Sequence, residues 1–203
     1  MSILQKADIL RGLEQLDRKA KEAGVVVDIS VYGGAALILA FDLERATRDV
    51  DVVVKDNLPL VRELIAEIAE ENDWPESWLN DGVKGFVASN EAMRLFSDAT
   101  DEKGGVRIYT PSVEYLFAMK CMAMRLEGDA HDLSDIEFLA DVAGIKDADS
   151  ALDIVASFYP SARIPARVTF GVREIMERMA ENAGNLKHIE SAKMVETEQQ
   201  PAR

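Results

Sequence analysis

The segment VYGGAALILAFDLERATRDVDVVV, residues 31–54, constrains the fold of this chain more than any other. A β-branched run, VVVDISVY (25–32), leads into Gly33 and Gly34. AALILAFDL then has the apolar density of a short buried helix, and DVDVVV (49–54) returns as a second strand. A glycine pair between strand and helix permits a turn that a Cβ would obstruct. Strand side chains alternate, so Asp49 and Asp51 project to one face while Val50 and Val52 project to the other. Buried charges are costly unless something pairs with them. Two carboxylates on one face of a valine-rich strand therefore need a physical reason.

Same-face neighbours on a strand stand roughly 6–7 Å apart, and carboxylates at that spacing repel unless a cation lies between them. Mg²⁺ suits the position: it is a hard cation that takes one or two carboxylates and completes its shell with phosphate oxygens and water. Two such acids facing a nucleotide's phosphates are the layout of two-metal phosphoryl-type transfer. The glycines supply a complementary half, since backbone N–H groups at a helix start can approach a phosphate at the positive end of the dipole. Neither Gly-x-Gly-x-x-Gly nor the P-loop lysine pattern occurs here, which argues against those nucleotide-binding folds. Taken singly, Gly–Gly can be a tight turn and Asp-x-Asp a solvated edge strand. Their succession within 24 residues is what points to a site.

The rest of the chain reads as an α+β protein. Residues 3–22 carry Leu10, Leu13, Leu16 and Ala20 at helical spacing, and LPLVRELIAEIAEEN gives a helix to about residue 72. Residues 74–105 show no clean period. VRIYT (106–110) is a short strand, after which Pro111 opens a helix, SVEYLFAMKCMAMRLEG. HDLSDIEFLADVAG, SALDIVASFY and ARVTFGVREIMERMAE read as three more helices, and the pattern fades into a polar tail near 182. The expected organisation is a core with a small mixed sheet flanked by helices over 1–110, a helical C-terminal part over 111–181, and a flexible tail over 182–203.

Composition narrows the function classes. A net charge of −14 disfavours nonspecific nucleic-acid binding, which requires Lys and Arg to neutralise phosphates. Arg163, Arg167 and Arg173 form the one obvious basic cluster. Cys121 is the single cysteine and the two histidines, His131 and His188, lie far apart, so neither a disulfide framework nor a structural zinc site is expected. No apolar run approaches the ~20 residues that span a bilayer. The start, MSILQKADILRGLEQ, lacks the parts of a signal peptide. The expected location is cytoplasmic, with no membrane partner.

YGGAALILAFDLERATRDVDVVV resembles the signature of the nucleotidyltransferase superfamily with the DNA polymerase β-like core. The series Arg45, Thr47, Asp49, Asp51 is most similar to small bacterial members, including AbiEii-like toxins and an uncharacterised related branch. That branch also shares WLND (Trp78 to Asp81) and a helix of the form LFAMKCMAMR. The resemblance spans roughly residues 30–140. It implies transfer of a nucleotidyl group from a nucleoside triphosphate to an unidentified acceptor (a tRNA, a protein or a small molecule), with Mg²⁺ or Mn²⁺. It also implies the toxin-like half of a toxin–antitoxin or phage-defence pair, with a cognate antitoxin as partner. Carried over by position, Gly33 and Gly34 hold the triphosphate and Asp49 and Asp51 the metal. Lys120 neutralises phosphate charge, and Asp132 or Asp135 acts as base or orients the lysine. Arg45, Thr47, Arg48 and Arg125 are the further candidates for nucleotide contact. Many members place a third carboxylate on a later strand, where GVRIYT offers Arg107; Asp81, Asp132 or Asp135 would have to substitute. Otherwise the fold is a catalytically silent binding or regulatory module.

Plainer readings stand beside these. Arg45 and Arg48 can be salt-bridge partners of the aspartates, and Lys120 and Arg125 can be surface cations with buried stems. Asp132 and Asp135 can be acids favoured at a helix start, with His131 a surface residue beside them. Met119, Met122 and Met124 read as packing between the two parts, and Trp74 and Trp78 as packing or lid residues.

Overall fold

The computed structural model describes residues 3–98, 100–125 and 130–198, and its side-chain description covers 3–98, 100–125 and 133–184. The chain divides into two compact units, Met1–Leu116 and Phe117–Arg203. The first unit is built on a five-stranded mixed sheet. Its strands are β1 (Val26–Tyr32), β2 (Val50–Val54), β3 (Leu79–Asn80), β4 (Met93–Asp98) and β5 (Gly105–Pro111), in spatial order β3-β2-β1-β5-β4. β1 pairs with β2 antiparallel and with β5 parallel. β3 adds to β2 in parallel and β4 closes the other edge antiparallel to β5.

Burial explains the sequence of the central strand. Ile29 through Tyr32 are all buried, so β1 is covered on both faces; its inner residues are apolar apart from Ser30. In β2 only Val50, Val52 and Val54 are buried, and Asp51 and Val53 on the opposite face stay half-buried. Helix α1 (Lys6–Glu22) turns Ile9, Leu13, Leu16 and Ala20 inward, one stripe of a 3.6-residue period. Leu4 lies outside that helix in a bridge to Thr47, exchanging backbone hydrogen bonds of 2.8 and 2.9 Å with it. Helix α3 (Leu58–Asn72) buries Val61, Leu64, Ile65, Ile68 and Ala69, and α1 and α3 pack together. Between them in the chain, α2 (Gly33–Phe41) follows β1 without a linker. It is apolar nearly all round and lies against β1 and β2.

The stretch 74–105 resolves into short pieces that periodicity could not expose. Trp78 is fully buried, donates its Nε1–H to the Ile65 carbonyl at 3.2 Å and stacks obliquely on Trp74 with ring centres 5.1 Å apart. Both tryptophans are packing residues. β3 is only two residues long and follows directly, and β4 is mostly exposed with a register shift between Leu95 and Ser97. Pro111 ends β5 and does not open the next helix, α4 (Val113–Ala123); it occupies a strand end, where a missing N–H is tolerated.

The second unit holds most of α4, then α5 (Ala130–Val142), α6 (Ala148–Phe158) and α7 (Ala166–Glu198). Met119, Cys121, Met122 and Met124 are buried. Arg167 of α7 donates to the carbonyls of Met124 at 3.1 Å and Met122 at 3.4 Å, satisfying groups at the end of α4. Asp147 caps α6, accepting from the Ser150 N–H at 2.8 Å. The backbone stays helical to Glu198, through the segment the sequence pattern leaves as a polar tail.

Candidate active site

The two glycines and the two aspartates meet because β1 and β2 run antiparallel in a register that sets Tyr32 opposite Asp51. Gly33 is the next residue and the first of α2. It adopts φ +62°, and a Cβ there would lie 2.7 Å from Asp51 Oδ2. Both the left-handed backbone and the carboxylate thus require glycine at this position. A Cβ on Gly34 would stand 3.2 Å from Thr47 Oγ1, so the second glycine sits beside the loop that carries Thr47. Thr47 in turn donates its hydroxyl to the Asp49 carbonyl at 3.1 Å. Asp49 precedes the first residue of β2 by one position. The N-cap of α2 is Tyr32, whose side chain makes no capping hydrogen bond, so the helix start carries no built-in acceptor from that residue.

A third element joins them. β3 aligns Asn80 with Asp51, and the Asn80 amide donates to Asp49 Oδ2 at 2.9 Å while its oxygen accepts from the Gly82 N–H at 2.9 Å. Sequence reasoning assigned no role to Asn80; its only trace was the WLND element. Tyr32 and Glu91 were missed as well. The Tyr32 hydroxyl donates to Glu91 Oε2 at 3.0 Å, and burial, reinforced by the Glu91 charge, pushes the phenol well above its usual range. Nothing local in the sequence connects Tyr32 to a glutamate 59 residues away.

Asp81 does not behave as a spare acid. It accepts from Lys84 Nζ at 2.5 Å and from Arg62 Nη2 at 3.4 Å, and the Lys84 hydrogen bond, then Arg62, holds its carboxyl below the usual range. Arg107 also departs from expectation. It faces Asp28 at the start of β1 in a two-pronged pair, Nε to Oδ1 at 2.5 Å and Nη2 to Oδ2 at 3.0 Å. Asp51 aligns with Tyr32 at the other end of β1, four residues or about 13 Å away at the strand rise. Continuing the register of β5 sets Pro111 beside Tyr32. Arg107 is the partner of Asp28, at the end of β1 away from Gly33 and Asp51.

Of the remaining candidates, Arg45 is half-buried and Arg48 and Arg125 are exposed. In the second unit half-buried Lys120 places its Nζ 2.7 Å from Oδ2 of buried Asp135, the two side chains being 14% and 4% exposed. The side chains of His131 and Asp132 lie outside the described residues. Of the basic cluster, Arg167 serves the α4 carbonyls and Arg173 pairs with Asp149 at 3.1 Å. Among the described residues, no group of three or more His, Cys, Asp or Glu side chains is placed to hold a metal by itself. No helix among them is long and apolar enough to cross a membrane.

A strand entering a Gly–Gly helix start, with an aspartate of the adjacent antiparallel strand against the first glycine, defines a nucleotidyltransferase-like core in an α+β fold. The family described as "Nucleotidyltransferase of unknown function (DUF6036)" matches residues 8–146, and the chain belongs to that family. Comparison with curated proteins and with solved structures found no match.

Proposed function

We propose that this protein transfers a nucleotidyl group from a nucleoside triphosphate to an acceptor hydroxyl or phosphate, with Mg²⁺ held by Asp49 and Asp51. The observation that carries the reading is the contact between the Gly33 position and Asp51, which puts a carboxylate beside a helix start suited to phosphate. The donor set fits the ion. Two half-buried carboxylates suit Mg²⁺, which takes one or two protein carboxylates and fills its shell with phosphate oxygens and water. Mn²⁺ suits the same oxygen donors. When bound, the ion would neutralise phosphate charge and polarise the α-phosphoryl group.

The chain's own residues would do the rest. The backbone at Gly33 and Gly34 receives the triphosphate, and Thr47 holds the loop carrying Asp49 against α2. The acceptor oxygen bonds to the α-phosphorus as the bond to pyrophosphate breaks. The contributions of Lys120, Asp135, Arg45, Arg48 and Arg125, and the role as toxin-like half of a toxin–antitoxin pair, rest on resemblance. A second reading, a silent nucleotide-binding module, is favoured by one observation: β5 (GVRIYTP) carries no carboxylate to activate an acceptor.

The test is a thermal-shift panel of the four ribonucleoside triphosphates, with Mg²⁺ or chelator, on wild type, Asp49→Asn and Asp51→Asn. Ligand at 100 times its Kd adds about 2.7 kcal/mol, a shift of several degrees for a chain of this size. A Mg²⁺-dependent shift lost in both variants is the expected result. A shift that survives both refutes the assignment. Binding without pyrophosphate release for any acceptor selects the silent reading.

A further inference from the structure

The WLND element has a specific task, which follows from the hydrogen-bond capacity of one amide. The Gly82 backbone N–H can only donate, so the Asn80 atom 2.9 Å from it is the side-chain oxygen. That fixes the other end of the amide as the NH₂ group, and it points at Asp49 Oδ2, 2.9 Å away. The same NH₂ lies 3.5 Å from the Ser77 carbonyl, at the limit of hydrogen bonding. The amide is thus locked in one orientation and presents a donor to the aspartate that precedes β2.

The lock is anchored on both sides. Buried Trp78, tied to the Ile65 carbonyl, fixes the chain just before β3, and the parallel pairing with β2 aligns Asn80 with Asp51. On the other side Gly82 comes close enough that a Cβ there would stand 2.9 Å from Asn80 Oδ1 and 3.9 Å from Asp51 Oδ1. A side chain at 82 would press on the amide and crowd the second carboxylate. The small residue, the amide and the two acids form one arrangement.

We infer that Asn80 is a positioning residue for the cation site: its amide, oriented by the Gly82 N–H, holds one oxygen of Asp49 so that the other is presented to a divalent ion. The inference rests on the proposal that Asp49 and Asp51 hold that ion. Groups that orient a metal's ligands typically contribute 10–100-fold to affinity, and an effect of that size is expected here.

The experiment measures binding of Mn²⁺ alone, with the free ion followed by electron paramagnetic resonance. It compares wild type, Asp51→Asn, Asn80→Ala and Gly82→Ala, and each variant is melted without metal to establish that it is folded. Asp51→Asn should abolish binding, while Asn80→Ala should weaken it at least tenfold in a protein that still melts cooperatively. Gly82→Ala keeps the Asn80 amide but shifts it, so it should also weaken binding, and it decides the matter if Asn80→Ala does not fold. Loss of binding in Asp51→Asn with wild-type affinity in Asn80→Ala or Gly82→Ala overturns the positioning role and leaves the metal site standing. No Mn²⁺ binding by wild type, or unchanged binding in Asp51→Asn, overturns the site and the inference together.

Discussion

Replacing Gly33 by alanine tests the join between β1 and α2, and its cost can be worked out in parts. At φ +62° an L-residue with a Cβ loses roughly 1–2 kcal/mol relative to glycine. The new methyl would also lie 2.7 Å from Asp51 Oδ2, closer than any tolerated contact. The carboxylate must turn away, and an off-rotamer side chain costs about 0.5–1.5 kcal/mol. Against this, alanine restricts the unfolded chain, which returns about 0.4–1 kcal/mol. The net expectation is destabilisation of about 1–2.5 kcal/mol, measured by urea denaturation. Gly34→Ala is the internal control. Its Cβ would meet only Thr47 Oγ1 at 3.2 Å, without a positive φ, and it should cost less than 1 kcal/mol. A double-mutant cycle separates the parts: in an Asp51→Ala background the Gly33→Ala cost should fall by about 0.5–1.5 kcal/mol, the share due to the carboxylate. A Gly33→Ala variant as stable as Gly34→Ala, or a cycle with no coupling, refutes the steric reasoning.

Two further outcomes follow from the charged groups. Lys120→Met removes the cation 2.7 Å from buried Asp135 and should cost about 3 kcal/mol in urea denaturation, the lower end of what breaking such a pair by removing one partner costs. Adding Asp135→Leu should recover most of that loss, and a lysine variant as stable as wild type would show that the pair does not support the fold. Asp81, whose carboxyl is depressed first by Lys84 and then by Arg62, contributes stability that is full above its ordinary value of 3.8. That contribution disappears as pH falls through the lower folded value; a carboxyl NMR titration with its midpoint at or above 3.8 would contradict the pairing.

The local elements were legible because their cause is local. β1, the glycines, α2 and β2 are written in consecutive residues, and so is most of the inward stripe of α1, where Ile9 is buried and Leu10, read as part of it, is half-buried. β3 and β4 were not legible, for different reasons. β3 spans two residues and exists only because β2 offers it an edge, while β4 is exposed along most of its length and needs no alternation. Pro111 misled in the same way: a proline suits the start of a helix and the end of a strand equally, and only pairing with β4 decides between them.

The site divides along the same line. The spacing of Asp49 and Asp51, and the need for glycine after β1, follow from the period of a strand and the sterics of a turn, so the sequence alone determined that two acids share a face near a glycine-bearing helix start. Which residues stand beside those acids was decided by register. The pairing of β1 with β2 brought Asp51 against Gly33, the addition of β3 brought Asn80 to Asp49, and the pairing of β1 with β5 gave Arg107 to Asp28 at the far end of the strand. Register is a choice among distant segments made by the burial of whole faces, and a slip of one residue would invert every one of these neighbours. No stretch of neighbouring residues carries that information, so it emerged only when the sheet was assembled.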